Sequence, residues 1–262
     1  MTNPASSGSD PLVPILEYDP SPGALIEPGH VARPVEGLVT STVICFFSEI
    51  VDEVCGGGRA EEVVQMGMES PRPLYLLEVG DGRRVAVFHP GVGAPLAVAL
   101  MEEAIALGCT SFVACGGAGA LVPGLALGHV VVPNAAVRDE GTSYHYLPPA
   151  REVEADLDAV AVAVSVLERR DVPHTVGKTW TTDAPYRETA ARIAKRRAEG
   201  CITVEMEAAA FLALARHRRV RFAQYLYAGD DVSGEAWDHR SWQNSSVRRS
   251  LFDLAVEASL EL

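Results

Sequence analysis

Aromatic residues are scarce in this chain, at 6% of 262 positions, and basic residues are outnumbered, with 22 Lys and Arg against 35 Asp and Glu. The formal net charge of −13 leaves no basic stripe and argues against nucleic acid as a partner. A small anion is not excluded, because a few arginines or converging backbone N–H groups hold a phosphate inside an acidic protein. No apolar run reaches 18 residues, so no membrane span is expected. Residues 1–10 lack the basic and apolar regions of a signal peptide. Cysteine is sparse and odd in number: Cys45, Cys55, Cys109, Cys115 and Cys201, with no C-x-x-C pair and no Cys/His spacing suited to zinc. These features predict buried free thiols, no metal, and a reducing, cytoplasmic setting.

What is present is a full complement of core-forming residues. Hydrophobic residues make up 48% of the chain, mean hydropathy is +0.10, and there are 23 glycines. That composition suits an α/β fold with tight strand–helix turns. Residues 1–38 are rich in Pro, Gly and Ser and read as an irregular arm; residues 39–262 read as one domain. Within it, strands are predicted over 39–47, 74–79, 83–88, 111–115, 128–132, 175–181 and 220–227. Helices are predicted over 48–54, 94–107, 153–169, 187–198, 204–217 and 241–260. Gly80-Asp81-Gly82 marks a hairpin, and Gly108 a helix C-cap. Strands alternating with helices imply βαβ units and a mostly parallel sheet, whose ligands bind at the carboxyl ends of strands.

Chemistry concentrates at those ends. Gly91 and Gly93 lie in His89-Pro90-Gly91-Val92-Gly93-Ala94-Pro95, and Gly116, Gly117 and Ala118 in Gly116-Gly117-Ala118-Gly119-Ala120-Leu121. Both are glycine-rich turns through which backbone N–H groups can approach a ligand. In Thr203-Val204-Glu205-Met206-Glu207-Ala208-Ala209-Ala210-Phe211, two carboxylates flank a methionine. A carboxylate accepts hydrogen bonds from two vicinal hydroxyls, and a thioether offers a soft face to a sugar ring. The segment 133–146 carries Arg138, Asp139, Glu140, Tyr144 and His145, a density unusual for a connector. Asp230 and Asp231 follow the strand at 220–227. Two adjacent acids repel, which raises one of them toward a proton-donor role.

With these motifs in order, the chain resembles nucleoside phosphorylase family I, which includes purine nucleoside phosphorylases, uridine phosphorylases and methylthioadenosine nucleosidases. Val204-Glu205-Met206-Glu207-Ala208-Ala209 is the most specific element, and Ala136-Val137-Arg138-Asp139-Glu140-Gly141-Thr142-Ser143-Tyr144-His145-Tyr146 resembles the uridine phosphorylase branch. The likeness covers about residues 85–235. It implies a three-layer αβα sandwich with a central mixed, partly barrel-like sheet, and homo-oligomers (dimers, trimers or hexamers). The implied reaction is cleavage of a purine or pyrimidine nucleoside by phosphate, giving free base and (deoxy)ribose 1-phosphate with no cofactor beyond phosphate as co-substrate.

On that resemblance, Glu207 supports the ribose, Met206 and Glu205 line the sugar, and Asp230 or Asp231 is the acid for the leaving base. Thr181, Thr182 and Tyr186 lie near the base, with Trp180 as a further wall, and Arg138 and His145 contact the substrate. Two departures stand out. The second glycine-rich turn has Ala114 and Gly117 where phosphorylases carry an arginine and a Ser/Thr. The stretch Tyr18-Asp19-Pro20-Ser21-Pro22 lacks the arginine that follows their Gly-Asp-Pro turn. Either Arg33, Arg72 or Arg138 replaces them, or the nucleophile is water and the protein is a hydrolase. A non-catalytic nucleoside-binding protein is the third alternative.

Overall fold

Ten strands and six α-helices build the computed structural model, which describes residues 12–21, 23–67 and 69–262. In chain order they are β1 (Ser41–Cys45), α1 (Ser48–Cys55), β2 (Glu61–Met66), β3 (Arg72–Glu78), β4 (Arg84–Phe88) and α2 (Ala94–Leu107). Next come β5 (Ser111–Ala120), β6 (Val130–Asp139), β7 (Glu152–Glu154), α3 (Leu157–Arg169), β8 (His174–Thr182) and α4 (Ala190–Ala198). The chain finishes with β9 (Cys201–Glu205), α5 (Ala208–Arg218), β10 (Arg221–Asp231) and α6 (Ser245–Glu261).

All ten strands belong to one mixed sheet. Its path runs β10-β6-β8-β9-β5-β1-β4-β3-β2, β7 pairs with β6, and β10 also pairs with β5. That last pairing closes β5, β10, β6, β8 and β9 into a five-stranded barrel, from which β1, β4, β3 and β2 extend as an open sheet. The expected mostly parallel sheet is therefore mixed. β3 is antiparallel to β2 and β4, β9 to β5, and β10 to β6.

Strand residues alternate between two apolar layers, as a sheet covered on both faces requires. Ile44, Ala86 and Phe88 face the α2 and α5 side, whereas Val43, Cys45, Val85 and Val87 face the side of α1, α3 and α6. The α5 residues Ala208 to Ala215 are all buried; a run of small side chains lets this helix sit in the middle of the molecule. The arm is anchored where apolar residues return to it: Ala32 is buried, and Val35 and Leu38 pack on the first layer.

The long strand β5 creates the functional site. On one edge, Ser111 to Cys115 are in register with β1, and Gly119 and Ala120 with β9. Between them, Gly116, Gly117 and Ala118 have no registered neighbour on that edge. The sheet parts there as β1 diverges from the barrel. The glycines are required by close approach: a Cβ on Gly116 would lie 3.1 Å from the Phe46 ring, and one on Gly117 3.3 Å from that of Tyr227.

Several boundaries differ from expectation for identifiable reasons. The supposed turn at Gly116–Leu121 is strand through Ala120. The supposed single helix over 204–217 is β9 followed by α5, because Cys201-Ile202-Thr203-Val204 is β-branched and favours extended backbone. The predicted helix at 153–169 starts only after Asp156, whose side chain accepts the Asp158 N–H at 3.0 Å as an N-cap. The segment 133–146 is strand to Asp139 and then a 3-10 turn, Thr142–His145. Strand β2 was not expected. Its Glu61 and Glu62 start is polar and half of it is exposed, so it carries little hydrophobic signal.

Candidate active site

A cavity of about 700 Å3 opens where β5 changes partners. Its walls come from the turns after β1, β4, β8 and β9, the end of β10, and the start of α6. Three regions can be distinguished in it.

The middle is built on Glu205, Met206 and Glu207, the turn between β9 and α5. Both glutamates are buried, and Met206 lines the cavity. Glu205 faces inward and is saturated. It accepts hydrogen bonds from the Thr181 hydroxyl (2.6 Å) and from the N–H groups of Glu207 (2.7 Å) and Ala208 (2.6 Å). It thereby satisfies donors at the start of α5, as an N-cap does. Among the described residues Glu207 accepts the Gly93 N–H, at 2.6 Å, leaving acceptor capacity toward the cavity. Gly93 caps α2 with φ of 99°, a conformation that side-chain-bearing residues avoid. Burial and then the neighbouring Glu205 charge push Glu207 up to about 8; burial pushes Glu205 up to about 7. With three donors on Glu205 and one on Glu207, Glu205 ionises first and Glu207 keeps the proton of the pair.

The second region lies beside Gly116 and Gly117. The segment Phe46-Phe47-Ser48-Glu49, entering α1, supplies one wall. Opposite it is Arg248 of α6. Its guanidinium lies between the rings of Phe47 (5.0 Å) and Trp242 (4.9 Å), hydrogen-bonds the Tyr227 hydroxyl at 3.2 Å, and pairs with Glu49. Arg248 is buried, whereas Glu49 is 46% exposed at its side chain. Gln224, next to Ala114 in the strand register, also lines the cavity, and its Oε1 is buried without a hydrogen-bond partner among the described residues.

The third region holds Asp230, Glu188, Tyr186 and Trp237. The Trp237 Nε1–H donates to Asp230 at 2.7 Å. Arg240 secures the strand end by donating to the carbonyls of Gly229 (2.9 Å), Asp230 (2.9 Å) and Leu125 (2.8 Å). Glu188 is half-buried, and burial followed by the Asp230 charge raises it to about 7. Asp231 faces elsewhere. It accepts the Ser233 N–H at 2.7 Å and pairs with Arg240 at 3.7 Å, and these contacts, overriding its burial, hold its pKa below the usual carboxylate value. The acid beside Asp230 is thus Glu188 and not its sequence neighbour.

A family model described as "Phosphorylase superfamily" matches residues 43–255. The chain belongs to this superfamily. Among curated relatives, guanosine phosphorylase from Halorubrum lacusprofundi is 33% identical over 141 residues, 54% of this chain and 58% of the relative. Uridine phosphorylase from Thermococcus kodakarensis is 33% identical over 105 residues, 40% of this chain and 38% of the relative. The matched part therefore spans well under two thirds of these relatives' own length. Among solved structures, uridine phosphorylase from Vibrio fischeri superposes with a TM-score of 0.72 at 20% identity, covering 91% of this chain and 99% of that one. Purine nucleoside phosphorylase from Toxoplasma gondii, in complex with immucillin-H, gives 0.74 at 18% identity, covering 86% and 92%. At these identities the agreement is one of fold, and the expected α/β architecture with a partly barrel-like sheet is the observed one.

Within this superfamily fold, Glu205, Met206, Glu207, Gly116, Gly117, Ala118, Tyr186 and Asp230 all line one cavity. Gly91 and Gly93 shape the turn beside it; a Cβ on Gly91 would lie 2.4 Å from Leu96. Other expected residues do not reach it. Thr181 is buried behind Glu205, donating to it and accepting the Ala209 N–H at 2.9 Å. Thr182 accepts the Ala184 N–H at 3.2 Å in a local turn. Arg138 is buried within its own segment, donating to Ser143 Oγ (2.8 Å) and to the carbonyls of Pro148 (2.7 Å) and Leu147 (3.1 Å), with Tyr144 stacked at 4.3 Å. Trp180 is core and donates to Asp139 at 3.0 Å.

His145 lines a separate hollow with Asp19 and Ser21 of the arm, so the segment 18–21 is not the turn beside Gly116 and Gly117; Pro22 lies outside the described residues. The turn that occupies that place is Phe46–Glu49. Arg33 is exposed, and Arg72 packs against His89 at 3.3 Å. Arg248, Glu49, Glu188, Gln224, Trp237 and Arg240 carry no motif of their own, and only folding brings them to the site.

Proposed function

We propose that this protein cleaves the N-glycosidic bond of a purine or pyrimidine nucleoside by phosphorolysis. The observation that carries the reading is Glu207: a buried carboxylate with spare acceptor capacity, beside Met206, in a cavity that also presents a fixed guanidinium and an acid pair. The sugar lies over Met206 with two hydroxyls donating to Glu207. As the C1′–N bond breaks, its electron pair passes to the base, and positive charge develops on the sugar. Glu207 stabilises that charge electrostatically. The acid pair of Asp230 and Glu188 holds the proton delivered to the base nitrogen. A phosphate oxygen forms the new C1′–O bond, with the phosphate held by Arg248 and the backbone along Gly116–Gly119. Family membership and the names of the phosphorylase relatives support phosphate as the nucleophile.

A second reading, hydrolysis by water, is favoured by one specific feature. Ala114 and Gly117 provide no side-chain donor, and the carboxylate of Glu49 stands at the nucleophile end, where it can take a proton from water. Chromatography of base release from a nucleoside panel, with and without phosphate, separates the two. Phosphate-dependent release with formation of sugar 1-phosphate supports phosphorolysis. Equal release without phosphate replaces it with hydrolysis, and no release from any nucleoside leaves a binding protein.

The same reading includes phosphate as co-substrate, no other cofactor, and a homo-oligomer. Fully exposed Leu25 and Leu12 and largely exposed Ile26, all in the arm, support assembly. A cytoplasmic location is proposed from five free, buried cysteines; no described helix is long and apolar enough to cross a membrane.

A further inference from the structure

Gln224 is a polar side chain set among apolar ones. It lies on β10 between Phe222 and Leu226, the positions that share its face of the strand, and both are buried. Its registered neighbour on β5 is Ala114. An apolar residue would be the ordinary occupant of such a place. Gln224 is instead 3% exposed, lines the cavity with Phe46 and Gly116, and its Oε1 has no donor among the described residues. A buried acceptor without a donor is costly, and an apolar side chain of the same shape would avoid that cost. The terminal amide torsion is broad and roughly two-fold, so Oε1 and Nε2 exchange places without moving β10.

A ligand that relieves this cost must bring a donor. The groups assigned to phosphate, Arg248 and the backbone N–H groups along Gly116–Gly119, are themselves donors. Donors alone do not tell hydrogen phosphate from sulfate, two tetrahedral anions of nearly equal size and charge. Hydrogen phosphate keeps a P–OH near neutral pH, whereas sulfate has no proton to give, so an acceptor in the wall separates them. The neighbouring carboxylates are engaged elsewhere. Glu205 holds three donors, Glu207 is assigned to the sugar, and Glu49 pairs with Arg248. We propose that Gln224 is a specificity-determining residue that selects a protonated tetrahedral oxyanion, hydrogen phosphate, over sulfate, its Oε1 accepting from the P–OH. This selectivity rests on the nucleophile being phosphate bound beside Gly116 and Gly117, as proposed above. A site built around a buried hydrogen-bonding group rejects the analogue that leaves it unpaired. The register also gives Ala114 a reason: its short side chain leaves room for the longer Gln224, and β10 supplies the polar group that β5 lacks at this point.

The test is calorimetric titration of inorganic phosphate, arsenate and sulfate into the whole protein near neutral pH, checked by equilibrium dialysis. Wild type is expected to bind phosphate about tenfold or more tightly than sulfate, because sulfate leaves a buried acceptor unpaired. Arsenate, which keeps an As–OH, should follow phosphate. Gln224→Met, similar in volume but without the amide, is expected to bring the phosphate-to-sulfate ratio toward unity, chiefly by weakening phosphate, with circular dichroism unchanged and Tm no lower than wild type. If that variant misfolds, the wild-type comparison of the three anions still decides, and Gln224→Asn, its amide drawn back by one methylene, should reduce the ratio. The inference is overturned by sulfate binding equal to or tighter than phosphate in wild type, by arsenate following sulfate, by a ratio that survives Gln224→Met, or by no binding of any of the anions at millimolar concentration. Parallel turnover assays keep the two readings apart. A Gln224-dependent preference for phosphate, with base release indifferent to phosphate, refutes phosphorolysis alone; phosphate-dependent release without preference over sulfate refutes the selectivity alone.

Discussion

Replacing Glu207 with glutamine should move activity and stability in opposite directions. In the free protein the Glu207 carboxyl lies beside Glu205 and is raised from 4.5 to about 8. A buried acid with a raised pKa contributes stability that is fully present below its unfolded value and lost as pH rises through its folded value. The protein should therefore weaken between about pH 5 and 8. At 1.36 kcal/mol per pH unit, the gap of about 3.5 units sets an upper bound of roughly 4–5 kcal/mol on the cost of ionising it. Coupling to Glu205 and local relaxation reduce this. Glutamine, isosteric and uncharged, should then stabilise the protein by ~2 kcal/mol at pH 8, or roughly 4–8 °C in Tm for a chain of this size, and by nothing measurable below pH 5. Activity should fall by at least a hundredfold in kcat/KM, because each hydroxyl-to-carboxylate hydrogen bond is worth ~1.5–3 kcal/mol and the developing positive charge loses its counter-ion. Differential scanning fluorimetry at pH 5 and pH 8, with base release measured on the same preparation, tests both halves. A Tm that falls at pH 8, or undiminished turnover, would refute the reasoning.

Four further outcomes follow from the same geometry. Nucleoside binding near pH 7 should release a proton as sugar hydroxyls stabilise ionised Glu207; calorimetry in buffers of different ionisation enthalpy detects it, and buffer-independent heats argue against it. Arg248→Gln should raise KM for phosphate about tenfold or more while nucleoside binding changes little; a purely structural Arg248 would affect both equally. Asp230→Asn should lower kcat by at least tenfold by breaking the acid pair with Glu188, whereas Asp231→Asn should leave kcat nearly unchanged, since Asp231 only ties a turn to Arg240. Arg138→Ala should cost ~3 kcal/mol by leaving the Leu147 and Pro148 carbonyls unpaired, without changing kcat/KM of the folded fraction, as comparison of denaturant titration with kinetics will show.

Where residue type and local period agree, the chain could be read directly. α2 runs from Ala94 to Leu107 with Gly108 behind it, and β3 and β4 pair around Gly80-Asp81-Gly82. The Glu205-Met206-Glu207 cluster was legible because three chemically telling residues are adjacent. What sequence order could not supply is the pairing across the cavity. Arg248 meets Glu49 from 199 positions away, and Glu188 meets Asp230 with α4, β9 and α5 between them in the chain. Arg138 shows the converse. A charged residue in a dense polar segment looked like a ligand, but its donors are consumed by that same segment, and only the hydrogen-bond geometry reveals it. Asp230 and Asp231 could not be ranked because alternation along β10 sends neighbours to opposite sides, and the register shift after Ala228 hides the phase.

The parting of β1 from β9 along β5 has a wider consequence for how such a protein diversifies. The cavity is a gap left by backbone geometry, so it persists whichever side chains surround it. The cationic, acidic and apolar parts of its wall ride on separate segments: the turn into α1, the segment after β8, and the start of α6. Each can drift without disturbing the strands that define the gap. An arginine can therefore be lost from a strand and another reach the gap from a distant helix while the Glu205–Glu207 turn stays fixed. The two ends of the cavity then become independently adjustable on an unchanged frame.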